Sequence, residues 1–191
     1  MADTKLTALA ETTSPATTDD VYIVTTPGGT PASKRCTIAN LKTTLGFPTF
    51  VGARYATNAA QAITSAGGNQ IVDFEDQDYD SGSLVTTGAS WHFTTPATGY
   101  YRISAFLTFA STANTTPNGS ALYVYKGGAL LTCLARMNEP TATLLLSIGG
   151  STTVALTAAD SIDIRVQQNM AASVALYNDG AYNWVSIERV G

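Results

Sequence analysis

Apolar and polar residues alternate most clearly from Tyr100 to Phe109, where Tyr101, Ile103, Ala105, Leu107 and Phe109 are set against Tyr100, Arg102, Ser104, Phe106 and Thr108. A period of two places the first group on one continuously apolar face of a β-strand. Shorter runs predict strands at Asn69 to Phe74, Trp91 to Thr94, Ala121 to Tyr125, Ala129 to Arg136, Thr143 to Ile148, Thr152 to Thr157, Ser161 to Gln168, Val174 to Leu176 and Tyr182 to Val190. Asn118-Gly119, Gly127-Gly128, Gly149-Gly150 and Asn178-Asp179-Gly180 read as turns between them. Short antiparallel strands spaced this closely over roughly 140 residues predict an all-β sandwich or jelly roll.

The first 47 residues follow another pattern. A strand is expected at Val21 to Thr25, a turn at Pro27-Gly28-Gly29 and a second strand near Ala32 to Cys36. A helical turn follows from Thr37 to Leu45, with Thr37 as N-cap and Ile38, Leu41 and Leu45 on one face. Here Lys5, Lys34, Arg35 and Lys42 balance Asp3, Glu11, Asp19 and Asp20, so the whole net charge of −4 belongs to residues 48–191. So few apolar residues cannot close a core alone. We therefore divide the chain into an arm, 1–47, and a larger domain, 48–191.

The last predicted strand carries large apolar groups on both faces, Tyr182 and Trp184 on one, Val185 and Ile187 on the other. A two-layer sandwich buries one face of each sheet, so the second face must meet another subunit, the arm or a ligand. Tyr100 and Phe106 repeat the pattern, and these four residues form the candidate subunit interface.

Composition narrows the class. Of 191 residues, 45% are hydrophobic and only 13% charged, which excludes a disordered polyanion and a basic nucleic-acid binder. The 30 Thr, 14 Ser, 28 Ala and 16 Gly suit strands and turns better than helices. Cys36 and Cys133 have no Cys or His neighbours in a zinc or redox spacing and are expected as buried free thiols. The opening residues lack the pattern of a signal peptide, and no run is long enough to insert in a membrane, so a soluble protein of a reducing cytoplasm is expected.

Two groups of residues invite chemistry. In Asp76-Gln-Asp78-Tyr-Asp80-Ser-Gly82 the alternating carboxylates are a candidate Ca²⁺ site, flanked by Asp73 and Glu75. It is not an EF-hand loop, because Gly82 falls at position seven and Thr87 at position twelve. The other reading is a solvated acidic loop, with no cofactor. His92 is the single histidine, and no nucleophile or metalloprotease motif accompanies it, so a hydrogen-bonded strand histidine is expected and no enzyme. The nine tyrosines suit either a core and subunit interface or a glycan- or protein-binding face.

The run from Phe74 and Asp80 through Phe93-Thr-Thr-Pro96 and Gly99-Tyr-Tyr101-Arg-Ile103 to Val185-Ser-Ile187-Glu-Arg-Val190 resembles the C1q-like branch of the TNF/C1q jelly-roll superfamily, over residues 52–191. Phe93, Gly99 and Tyr101 match the core of its signature. Ile103 and Ala105 depart from it, standing where aromatics are usual. In this reading Gly99 permits a tight turn, Pro96 breaks the preceding strand and Tyr101 starts a buried one. The resemblance implies a homotrimer, a ten-stranded jelly roll per subunit, and binding rather than catalysis.

Leu6-Thr-Ala-Leu9, Asp19-Asp20-Val21-Tyr-Ile23-Val24, Pro27-Gly-Gly29, Lys34-Arg35 and Thr37-Ile38-Ala-Asn-Leu41 are similar to the attachment segment that opens many bacteriophage fibre and virion proteins. That resemblance implies docking on a capsid, collar or tail protein through Leu6, Leu9, Val21, Ile23, Ile38 and Leu41. Together the two resemblances imply a trimeric virion protein assembled in the host cytoplasm, a capsid decoration protein or short head or collar fibre. The alternatives are a tail receptor-binding tip for a host glycan or surface protein, and a secreted C1q/TNF-like ligand.

Overall fold

A computed structural model of the chain describes residues 16, 18, 20–25, 32–45, 49–64, 68–113, 119–138, 143–169 and 172–191. Backbone contacts divide the chain into two units, Met1–Thr49 and Phe50–Gly191.

In the first unit, β1 (Asp20–Thr25) pairs antiparallel with β2 (Ala32–Thr37), Val21 lying opposite Cys36. Helix α1 (Ile38–Thr44) follows without a break. Thr37 caps it: the Asn40 N–H donates to Thr37 Oγ1 at 3.2 Å, satisfying a backbone donor that the first helical turn leaves open.

The second unit contains β3 (Gly52–Ala56), β4 (Ala62–Ile63), β5 (Gln70–Ile71), β6 (Asp76–Asp80), β7 (Val85–Thr86), β8 (His92–Thr94), β9 (Gly99–Ala113), β10 (Gly119–Lys126), β11 (Ala129–Asn138), β12 (Thr143–Leu156), β13 (Ser161–Gln168), β14 (Val174–Ala175) and β15 (Trp184–Arg189). Five strands form one sheet in the order β12-β9-β15-β3-β6, and the opposing sheet runs β11-β10-β13-β8-β7 with β5 also on β13. Every pairing is antiparallel.

The alternation of β9 is realised as expected: Tyr101, Ile103, Ala105, Leu107 and Phe109 are buried. Val185 and Ile187 of β15 lie on the same side, facing Leu122, Val124, Ile162, Ile164 and Val166 of the opposing sheet. Phe74, Trp91 and Tyr55 close one end of this core edge to face, with ring centroids 5.2 and 6.4 Å from Trp91. Burying each such large side chain stabilises the fold by about 1.5–3 kcal/mol.

Three expectations are corrected. Gly149-Gly150 is no turn, for β12 runs through it as one strand of 14 residues. These glycines answer to close approach: a Cβ at Gly150 would meet the Leu134 backbone oxygen, and one at Gly149 the ring of Phe106. Gly99 is the first residue of β9, with no positive φ, and there a Cβ would collide with the Gly191 carbonyl and the Arg189 side chain. Finally, the acidic run is a strand, β6, because its backbone pairs with β3.

Candidate subunit interface

The side of the five-stranded sheet turned away from the core is ordered in rows set by register. Ala56, Trp184, Phe106 and Gly149 lie side by side across β3, β15, β9 and β12. One pleat along come Arg54, Ser186, Ser104 and Ser151, then Gly52, Glu188, Arg102 and Thr153. Tyr100 ends the face, opposite Ala155.

In the first row Phe106 and Trp184 stack nearly parallel, at 16° and 6.4 Å between centroids. The Arg54 guanidinium lies over the Trp184 ring at 4.7 Å, while its Nε donates to Asp78 at 2.7 Å. Beside this apolar strip Ser104 and Ser151 join at 2.8 Å. Glu188 accepts from Arg102 at 2.7 Å, from the Tyr79 hydroxyl at 2.8 Å and from Ser186 at 3.2 Å. The Arg102 guanidinium, with the Tyr79 and Ser186 hydroxyls, holds the Glu188 carboxyl below the usual glutamate range. Burial pushes the Tyr79 phenol up. A shallow cleft of about 330 Å³ separates the aromatic pair from these charges.

Of the four residues expected here, Tyr100, Phe106 and Trp184 share this face, at its two ends. Tyr182 departs from the expectation. It precedes β15 and sits in a turn, 48% exposed, its ring packed edge-on against Tyr177. Fully buried Asn183 fixes that turn, accepting the Thr108 N–H at 2.8 Å and donating to the Tyr177 carbonyl at 2.5 Å. Ser104, Ser186 and Glu188 were within reach of sequence reasoning, since they alternate with Phe106 and Trp184. Arg54 was not, because no pattern marks β3.

The carboxylates expected for Ca²⁺ turn to separate partners. Tyr79 pairs with Arg54 and Gln77 with Tyr55, so Asp78 occupies a β-bulge. The bulge sends Asp78 to Arg54, whereas Asp80 accepts from the buried Tyr55 hydroxyl at 3.2 Å and from the N–H groups of Gly82, Leu84 and Val85. Asp76 accepts from Asn58 at 2.9 Å. Among the described residues no three acidic, His or Cys side chains are grouped to hold a metal.

Among the attachment candidates, Leu6 and Leu9 lie outside the described residues. Val21 and Ile23 are on β1, and Ile38 and Leu41, half-buried, share one face of α1. His92 starts β8, its Nδ1 at 2.8 Å from the Ser90 carbonyl. Both cysteines are free, but neither is fully buried, Cys36 being half-buried and Cys133 exposed. Cys133 lies opposite Tyr123, whose neighbours Leu122 and Val124 take the core side of β10.

Solved structures resemble this fold. Eiger TNF from S. frugiperda superposes with a TM-score of 0.58 at 11% identity, covering 75% of this chain and 94% of its own. Murine APRIL gives 0.52 at 12% identity, covering 74% of this chain and all of its own. The fold is therefore a TNF-like jelly roll. No protein-family model and no curated protein matches the chain.

Proposed function

We propose that the protein is a structural component of a bacteriophage particle, a homotrimeric capsid decoration protein or short head or collar fibre. In this reading the knob, 48–191, points outward and the arm, 1–47, docks on a capsid, collar or tail protein. The observation that supports its trimeric part is the outward face built on Trp184 and Phe106. Aromatic rings and arginines are enriched at subunit interfaces, and a stacked pair left in water would expose apolar area for no return. The homotrimer also agrees with the C1q-like resemblance. A core drawn wholly from residues after 50, among those described, supports a knob that folds without the arm.

The TNF-like fold supports a second reading, a TNF-like ligand presented by its own trimer. Electron microscopy of phage particles assembled with C-terminally tagged chains and decorated with an anti-tag antibody separates the two. Label in threefold clusters on head or collar is expected, label at the tail end would favour the receptor-binding tip, and unlabelled particles would contradict the virion reading.

A further inference from the structure

The outward face of the opposing sheet holds a different arrangement. At one end of its strand β10, Gly119, Ser120 and Ala121 offer almost no side-chain bulk on this face. Ala121 pairs with Arg136 of β11 on one side and with Gln167 of β13 on the other. A small-residue floor between long polar walls leaves a cleft of about 260 Å³, to which Asn169 also contributes. Tyr123, two residues along the same face, closes it: its hydroxyl accepts from Arg136 Nη2 and donates to Gln167 Oε1, both at 3.3 Å.

The two arginines of this face differ. Arg165 is neutralised, gripping Asp163 through Nε at 2.5 Å and Nη2 at 3.1 Å while stacking on Tyr125. Among the described residues Arg136 forms no ion pair, and its guanidinium donates to the Tyr123 hydroxyl. A guanidinium left with free donors beside a polar cleft matches one planar, singly charged oxyanion. A nucleic acid or polyphosphate needs several cations, and here there is one. An apolar peptide needs a greasy pocket, and the floor is Gly and Ala. The carboxamides of Gln167 and Asn169, each both donor and acceptor, suit hydroxyl groups.

We propose that this cleft binds a carboxylate-bearing sugar, the carboxylate on Arg136 and the ring hydroxyls on Gln167 and Asn169. The site lies on the sheet opposite the candidate subunit interface, so it stands or falls separately from the virion reading. The test is NMR titration of the full chain with methyl β-glucuronide and the methyl glycoside of N-acetylneuraminic acid, with methyl β-glucoside and sodium acetate as controls. We expect saturable binding of at least one acidic sugar, and about tenfold or greater weakening for the controls and for Arg136→Met. Gln167→Ala should weaken binding less. Arg136 is exposed, so its variant keeps the wild-type melting temperature. Failure of both acidic sugars to bind, acetate binding as tightly as they do, or Arg136→Met binding them like wild type would each overturn the proposal.

Discussion

Gly149 lies directly opposite Phe106 across the β12 and β9 ladder, and a Cβ at 149 would stand 2.5 Å from Phe106 Cδ2. The glycine lets the ring lie flat against the sheet and stack on Trp184. Gly149→Val should push the ring off, cost about 1–3 kcal/mol of stability and weaken self-association. At Gly150 the obstacle is the Leu134 backbone, which no rotamer change relieves, so Gly150→Ala should destabilise more than Gly149→Ala. Urea unfolding of the variants checks the order, and the reverse order would refute it.

Asp80 anchors the loop that follows β6. Its carboxylate takes the N–H groups of Gly82, Leu84 and Val85, so Asp80→Ala should leave them short of a partner and cost about 1–3 kcal/mol. Neither EDTA nor millimolar calcium should move the wild-type melting temperature. A calcium-dependent rise would contradict the dispersal of the acidic run.

Much of the sandwich was legible because β9, β13 and β15 each place an apolar residue at every second position of the core-facing side. The rest was hidden for specific reasons. In β3 the small Gly52, Ala53 and Ala56 leave too few large apolar residues to show a period. In β12 the Gly149-Gly150 pair looks like a turn in sequence, and only the ring and backbone pressed against it explain why glycine is needed. The acids of β6 read as a loop until their pairing with Arg54 and Tyr55 is seen. For the interface, Phe106 and Trp184 were visible from alternation, whereas Tyr182 was misplaced because Asn183 folds the chain into a turn just before the strand.

Acid should weaken the fold through two carboxyls. Arg102 foremost holds Glu188 low, and the Thr157 N–H foremost, with Lys126, does so for Asp160. A carboxyl with a depressed folded pKa contributes stability above its unfolded value and loses it as pH falls through the folded one. Melting temperature should therefore drop below about pH 4. Glu188→Gln should flatten that decline, and an unchanged acid limb in the variant would count against the network.

Alkali should act through Tyr55. Burial, and then the neighbouring Asp80 charge, pushes its phenol up to about 12. A raised folded pKa gives stability that is complete below the unfolded value near 10 and is lost as pH climbs towards 12. Tyr55→Phe should cost about 1 kcal/mol at pH 8, with the difference narrowing or reversing by pH 11. A constant difference between the two pH values would contradict this.

The most direct test of the trimeric knob is the mass of the full chain in solution by sedimentation equilibrium, for the wild type and for Trp184→Glu. The account predicts three times the 19.9 kDa chain mass for the wild type. A glutamate in place of the stacked indole should give a folded monomer, since a buried unpaired charge is costly at an interface and harmless in water. A monomeric wild type, or a Trp184→Glu variant that is still trimeric, would contradict it.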